Sequence, residues 1–160
     1  MKRAKFFHKP PSAPTPNKPI GVGALALIER DGELLMELRS DRERWGLVGG
    51  AVEPYESIEY ALRREVFEET NLVVKHCELF GVFSDPSRIV EYPDGNVVRL
   101  ISFVYKVEVE SFAPLRTSEE SLEFRFFGRD ELRRLDIVET ARPVIEAYLA
   151  PGEPKRVFLG

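Results

Sequence analysis

The chain has 160 residues, of which 43% are hydrophobic, and this suits one globular domain with a buried core. Its formal net charge of −4 argues against a general nucleic-acid-binding protein, which would carry a basic surplus. The sequence has no apolar run of 18 residues and no signal-peptide pattern, and its single cysteine, Cys77, excludes an internal disulfide. We therefore expect a soluble, cytoplasmic protein without a membrane partner.

Residues 1–19 are predicted to form a proline-rich N-terminal arm, residues 20–150 a domain, and residues 151–160 a tail. The arm begins with basic and aromatic residues and continues into the sequence PPSAPTPNKP, which cannot form a helix. Two alternatives are open for the arm. It is either a disordered tail or a segment anchored by Phe6 and Phe7 on the domain or on a second subunit.

The first predicted elements are two strands at residues 20–29 and 33–39, joined by Asp31-Gly32, a strong hairpin signal. A charged loop follows and leads into the sequence WGLVGG at residues 45–50, where glycines allow the backbone to approach a ligand closely. Arginines near this loop are candidates for binding phosphate groups, although solvated arginines are the alternative. They are Arg39, Arg42 and Arg44.

Residues 57–70 contain no glycine or proline and predict a helix. Its apolar face changes into carboxylates in the last turns, where Glu65, Glu68 and Glu69 stand three and four residues apart. Like charges at this spacing destabilise a helix, and they lie at its negative end. The cluster is therefore either a solvated helix end or a site that binds a cation.

The remaining elements are predicted as strands at 73–85, broken near Gly81, at 97–109 and at 122–127, with a loop at 86–96. A short helix is expected at 129–135 and a longer one at 138–149, interrupted near Pro143. Strands on both sides of one strong helix indicate an α/β fold with a mixed sheet packed between helices.

The helix and the preceding glycines follow a fixed pattern. It runs Gly50, five residues, Glu56, seven residues, Arg64-Glu65-Val66, one residue, Glu68-Glu69, one residue, Asn71-Leu72. This pattern resembles the Nudix box, with Asn71 where that family has glycine, and WGLVGG resembles the family's Trp-x-Leu-Pro-Gly-Gly with valine for proline. Asparagine is the next best residue for the left-handed end of a helix.

The resemblance implies the α/β/α sandwich of the Nudix family and hydrolysis of a phosphoanhydride bond. It assigns Glu65, Glu68 and Glu69 as ligands of Mg²⁺, with Mn²⁺ as the alternative, and a carbonyl of Gly49 or Gly50 nearby. Arg64 would hold the glutamates in place and Glu56 would support the site.

Many Nudix enzymes take a further catalytic carboxylate from a loop outside the box. Glu120 is the candidate here, with Glu119 and Glu123 as alternatives, followed by Asp85 and Glu91. Arg39, Arg44 and Trp45 are the candidates for substrate binding. A base would stack on Trp45, Phe83 or Tyr92, although each also suits packing.

The expected substrate is a nucleoside diphosphate linked to another moiety, such as an ADP-ribose-like nucleotide sugar or a nucleoside triphosphate. Two alternatives share the fold: a non-catalytic nucleotide-binding regulatory module, whose relatives usually lose box glutamates, and an RNA 5′-end pyrophosphohydrolase, which the acidic balance disfavours. The partner is thus a small-molecule nucleotide, with nucleic acid disfavoured. The resemblance and the aromatic arm favour a homodimer.

Overall fold

The structure is a computed structural model that describes residues 4–8, 13–40, 43–152 and 157–160, and these form ten strands and three helices. The strands are β1 (Lys5–Phe7), β2 (Gly21–Arg30), β3 (Glu33–Arg39), β4 (Trp45–Gly46), β5 (Val48–Ala51), β6 (Val74–Phe83), β7 (Ile89–Glu91), β8 (Val97–Val109), β9 (Ser121–Phe127) and β10 (Phe158–Leu159). The helices are α1 (Ile58–Thr70), α2 (Arg129–Arg134) and α3 (Arg142–Leu149). No described helix is long and apolar enough to cross a membrane.

The sheet is mixed and is built around β2. One edge of β2 pairs in parallel with β8, and the other edge pairs antiparallel with β5 and then with β3. Beyond β8, the antiparallel strands β7 and β1 continue the sheet, so that the order is β1, β7, β8, β2, β3, β4. The tight turn at Asp31 and Gly32, with φ of 52° and 79°, confirms the predicted hairpin between β2 and β3.

Side chains of β2 alternate between two apolar cores on the two faces of the sheet. Leu27 joins the core that contains Leu132 of α2 and Ile145 of α3, whereas Ile28 joins the core that contains Leu62 of α1. Helices therefore cover both faces of a curled mixed sheet, and the predicted α/β/α architecture is confirmed.

Helix α1 begins and ends where the sequence predicts. The Ser57 hydroxyl accepts a hydrogen bond from the backbone N–H of Tyr60 at 3.1 Å and caps the first turn. Asn71 ends the helix in the left-handed conformation, with φ 64° and ψ 12°, and its N–H donates to the carbonyl of Phe67. The helix is therefore fixed at both ends before its carboxylates reach the site.

Two predicted elements differ in the structure. The helix predicted over residues 138–149 is wrong in its first turn, because α3 begins at Arg142 with Pro143 in its first turn, where proline needs no N–H donor. The predicted break near Gly81 is a register shift between Leu79 and Gly81 within the continuous strand β6.

Three strands occur in segments that were predicted as arm, loop or tail. Strands β1, β7 and β10 are short, and each is defined by its pairing: β1 with β7, β7 with β8, and β10 with β6. Phe6 of β1 packs on the core of α2 and α3, which anchors this part of the arm on the sheet. Residues 9–12 of the predicted arm lie outside the described residues.

Candidate active site

A cavity of about 1200 Å³ lies between α1, β5 and the face of the sheet that carries β2, β7 and β8. One end is acidic and is lined by box residues together with the loop before β9. These residues are Gly49, Gly50, Glu56, Arg64, Glu65, Glu68, Glu69, Glu119 and Glu120. The other end, formed by β1, β7 and β8, is largely apolar and includes Phe6, Val90, Val98 and Leu100, together with the buried side chain of Arg88. The cavity thus places carboxylates at one end and apolar side chains at the other.

The two glycines of β5 let its backbone lie directly against α1 and β2. A Cβ atom on Gly50 would stand 2.6 Å from the carboxyl group of Glu65, and a Cβ on Gly49 would stand 2.2 Å from the carbonyl oxygen of Ala24. Gly49 also has φ +138° and donates its N–H to Oε2 of Glu69 at 2.9 Å. Each glycine is therefore required by close approach.

Arg64 connects the acidic side chains of the box. Its guanidinium holds Glu56 through two hydrogen bonds of 2.5 and 2.9 Å, and it donates to Glu65 at 2.9 Å and to Glu68 at 3.1 Å. The hydrogen bond from Arg64 also holds the pKa of the Glu56 carboxyl below its usual value. Arg64 thus fixes three carboxylates relative to one another, the arrangement that the resemblance implies for it.

Two glutamates of α1 are held where ionisation is unfavourable. Burial raises the pKa of Glu65, and the charges of Glu68 and Glu120 add to this effect, while Arg64 opposes it. Burial also raises the pKa of Glu69 to about 8, with a further contribution from Glu37, although the Gly49 N–H and Arg39 favour the charged form. A nearby cation would therefore favour the charged form of both carboxyl groups, which burial and neighbouring carboxylates disfavour.

Arg39 links the helix to the loop before β9. Its guanidinium donates to Oε1 of Glu69 at 3.2 Å and to Oε2 of Glu120 at 3.3 Å. Glu119 lines the cavity as well, whereas Glu123 pairs with Arg125 at 2.6 Å outside the described cavity lining. The structure therefore brings Glu120 to the box glutamates and does not bring Glu123 there.

Two predicted substrate-binding residues lie elsewhere. Arg44 donates to Asp136 at 2.9 Å, to Glu139 at 2.5 Å and to the carbonyl of Ile137, and it is absent from the described cavity lining. Trp45, also absent from that lining, packs edge-on against Phe127 with ring centroids 4.8 Å apart. The structure therefore does not bring either residue to the described cavity lining, and a substrate role for them stays a prediction. Arg42 lies outside the described residues.

Four further candidates were predicted, two for base stacking and two for the catalytic carboxylate outside the box, and only one of them lines the described cavity. Tyr92 lines the cavity and is 42% exposed, whereas Phe83 is buried at the core of α2 and α3. Asp85 accepts hydrogen bonds from Ser87, and Glu91 forms an ion pair with Lys5 at 3.9 Å. Tyr92 is therefore the one of these four side chains that reaches the described cavity wall.

Two buried charged residues near the cavity are not among the predicted site residues. Glu37 of β3 is fully buried and accepts a hydrogen bond from Ser121 at 2.6 Å. Arg88, only 1% exposed, donates to the carbonyls of Phe83 and Thr140. Strand alternation was a usable signal for Glu37, because Leu35 and Glu37 share a face of β3. No sequence pattern marked Arg88.

The donor chemistry of the acidic end fits a hard divalent cation. Carboxylate and carbonyl oxygens are the ligands that Mg²⁺ and Mn²⁺ prefer, and a cation would favour the charged form of Glu65, whose pKa is raised by burial and further by the charges of Glu68 and Glu120. Among the described residues, no group of three acidic, histidine or cysteine side chains is arranged to hold an ion. Instead, the carboxylates of Glu65 and Glu68 point to Arg64 and that of Glu69 points to Arg39.

A family profile described as the NUDIX domain matches residues 17–148, which include the whole of this acidic site. The chain belongs to the Nudix family. Nudix hydrolases generally use divalent metal ions. The enzyme is accordingly a hydrolase, and its class agrees with the carboxylate-lined cavity.

Curated relatives of this Nudix hydrolase include proteins named for two different nucleotide substrates. The enzyme is 32% identical over 125 residues to the nucleoside triphosphatase NudI of Klebsiella pneumoniae, covering 72% of this chain and 87% of that protein. It is 33% identical over 117 residues to an ADP-ribose pyrophosphatase of Methanocaldococcus jannaschii, covering 71% of this chain and 65% of that protein.

Solved structures share the fold at lower sequence identity. A MutT protein from Methanosarcina mazei superposes with a TM-score of 0.67 at 22% identity, over 84% of this chain and 96% of that one. An ADP-ribose pyrophosphatase from Streptococcus suis gives a TM-score of 0.66 at 16% identity, over 88% of this chain and 98% of that one. These likenesses establish the fold.

Proposed function

We propose that this Nudix hydrolase cleaves a phosphoanhydride bond in a nucleoside diphosphate linked to another moiety, with Mg²⁺ or Mn²⁺ as cofactor. The observation that carries the proposal is the acidic end of the cavity, where the carboxylates of α1 stand against the backbone of Gly49 and Gly50. The names of the relatives, nucleoside triphosphatase and ADP-ribose pyrophosphatase, support a substrate with a nucleotide and a pyrophosphate group.

The box residues would have two roles: some would bind the metal, and others would position the metal ligands. Glu65, Glu68 and Glu69, with the carbonyl of Gly50, would be the metal ligands, and Arg64 and Glu56 would hold the first two carboxylates in position. A bound divalent cation supplies neutralisation of phosphate charge and activation of water. The side chain of Glu68 is 57% exposed, so it can turn from Arg64 towards the cavity without repacking the core.

Glu120 would act on the attacking water. Its carboxylate is 66% exposed, faces the same cavity as Glu65 and is held by Arg39. An exposed carboxylate at this place can accept a proton from water in the transition state. Arg39 would then position Glu120 and Glu69 together, and because it also lines the cavity, its predicted contact with phosphate stays a prediction.

The substrate test is a panel of nucleotides assayed with Mg²⁺ and Mn²⁺, with every product identified. ADP-ribose and nucleoside triphosphates should be hydrolysed to a nucleoside monophosphate and a second phosphate-containing product. A non-catalytic module would bind a nucleotide without turnover, and an RNA 5′-end pyrophosphohydrolase would prefer 5′-triphosphorylated RNA to free nucleotides. Glu59→Gln is the matched control variant, because Glu59 lies on α1 but is paired with Arg63 on its exposed side.

Two further expectations accompany this function. We expect a homodimer, and the exposed aromatic residues Tyr60 and Phe67 of α1, at 62% and 52% exposure, offer it a contact surface. Light scattering of the purified chain measures the mass directly, and a monomer at micromolar concentration would contradict the expectation. A cytoplasmic location also stays a prediction.

A further inference from the structure

We propose that strand β1 is part of the substrate site and that Phe6 contacts the nucleobase. The inference rests on the proposed function and extends it, because it names the residue that binds the part of the nucleotide remote from the scissile phosphates. It starts from an observation outside the box: Ala4 and Phe6, at the start of the chain, line the same cavity as Glu65 and Glu120.

The register of β1 decides which of its side chains face the cavity. Lys5 pairs with Glu91, Phe6 with Val90 and Phe7 with Ile89. Because side chains alternate along a strand, Phe6 points to one face of the sheet and Lys5 and Phe7 to the other. Phe6 is half-buried against the core of α2 and α3 and forms cavity wall. Phe7 is absent from the described lining of that wall.

The position of β1 in the sheet sets the distance from the phosphate end. Strands β1, β7, β8, β2 and β5 are successive neighbours. Four inter-strand spacings of about 4.8 Å separate β1 from β5 by about 19 Å along the sheet. A ligand whose phosphates lie at Gly50 and Glu65 would therefore need a further group beyond its phosphates to contact β1.

The surroundings of Phe6 suit an aromatic, uncharged group. Val90, Val98 and Leu100 of the neighbouring strands line the cavity with apolar surface. The charged side chain of this wall, Arg88, is only 1% exposed and donates to Phe83, Ser102 and Thr140. A nucleobase offers a π-face to Phe6, and stacking of a base on an aromatic side chain is sequence-tolerant. The strand that carries Phe6 thus completes the site by covering the edge of β7.

The test compares Phe6→Ala with Phe7→Ala, a matched control on the same strand with the opposite orientation. Base stacking of the usual strength predicts that Phe6→Ala raises KM for a nucleotide substrate about tenfold, with kcat within about threefold of wild type. Phe7→Ala should leave KM within about twofold. Phe6→Leu keeps apolar packing and should still raise KM, whereas Phe6→Tyr should retain the wild-type value.

Equilibrium binding separates this inference from the proposed function. Calorimetric titration with a nucleoside monophosphate should show about tenfold weaker binding by Phe6→Ala, and titration with inorganic tripolyphosphate should give the same affinity in both proteins. Equal nucleotide affinity in Phe6→Ala and wild type overturns the inference. So does an equal loss in Phe7→Ala, or a parallel loss for tripolyphosphate. Absence of turnover in the wild type overturns the proposed function alone, because the binding data still decide the role of Phe6.

Discussion

At the scale of single residues, the acidic end of the cavity depends on a glycine, because the absence of a side chain there leaves room for a carboxyl group. The carboxyl group of Glu65 occupies the space beside Gly50 where a Cβ atom would stand 2.6 Å away. Arg64 holds the other side of that carboxyl at 2.9 Å. Glu65 is therefore confined between a glycine and an arginine, and a small change at either one moves it.

Gly50→Ala should push the carboxyl group of Glu65 away from its position against β5. Loss of a few kcal/mol of charge stabilisation would lower kcat by about a hundredfold, since each 1.36 kcal/mol is tenfold in rate. Steady-state kinetics with saturating Mg²⁺ measure this. Gly152→Ala is the control, because a Cβ there meets nothing within 4 Å. Wild-type kcat in Gly50→Ala would show that the position of Glu65 is not critical.

Glu120→Gln should lower kcat by about 10²–10⁴ while leaving KM nearly unchanged, because general-base assistance acts in the transition state. Glu123→Gln should behave as wild type, since Glu123 pairs with Arg125 outside the described cavity lining. Glu119 also lines the cavity. A collapse in Glu119→Gln with normal turnover in Glu120→Gln would therefore transfer the role to Glu119.

At the scale of elements, α1 delivers its glutamates only if it ends at the right residue. Asn71 ends it in the left-handed conformation, and its amide also donates to the carbonyl of Pro114 at 3.1 Å. Asn71→Gly should change the free energy of unfolding little, because glycine adopts positive φ freely while that one exposed hydrogen bond is lost. Asn71→Val should destabilise by about 1–2 kcal/mol. Equal urea-denaturation midpoints for the two variants would contradict this.

Arg88 joins three elements around the apolar end of the cavity. It donates to Phe83 at the end of β6, to Ser102 of β8 and to Thr140 before α3. Arg88→Met should destabilise the fold by about 2–4 kcal/mol, because buried carbonyls lose their donors. Arg133→Met, which removes a 53% exposed arginine, should be nearly neutral. Equal unfolding free energies for the two variants would exclude a structural role for Arg88.

The sequence predicts those elements whose residues carry their own pattern. Helix α1 has a capping serine and a left-handed asparagine, and the hairpin has Asp31-Gly32, so local chemistry determines both. Strands β1 and β7 have no such pattern, because each is short and is defined by the partner strand it pairs with. Pro143 is predicted to interrupt a helix, whereas it lies in the first turn of α3. The segment before it bonds to other elements, since Val138 donates to Trp45 and Thr140 accepts from Arg88.

The same distinction applies to the site. Box residues stand at fixed spacing on β5, on the loop after it and on α1, so their closeness follows from the sequence. The partners of Arg44 lie more than 90 residues away, at Asp136 and Glu139, and only the fold reveals them. Arg88 has no signal in the sequence for the same reason, because it bonds to Thr140, 52 residues away. Glu37 differs, since the alternation of β3 indicates that it is buried.

At the scale of the whole molecule, the cavity combines an acidic end that suits metal and phosphates with an apolar end about 19 Å away along the sheet. The central claim is that the glutamates of α1 hold a divalent cation during hydrolysis. Glu68 and Glu59 allow a matched comparison, since both lie on α1 and both pair with an arginine, at 3.1 and 3.0 Å, but Glu68 alone of the two lines the described cavity.

The most direct measurement is the rate of nucleotide hydrolysis as a function of Mg²⁺ concentration in wild type, Glu68→Gln and Glu59→Gln. Wild type and Glu59→Gln should be inactive with a chelator and reach the same maximum as Mg²⁺ is added. Glu68→Gln should need more Mg²⁺ and reach a kcat about a hundredfold lower. Full activity in chelator, or identical Mg²⁺ curves for the two variants, would contradict a metal site on α1.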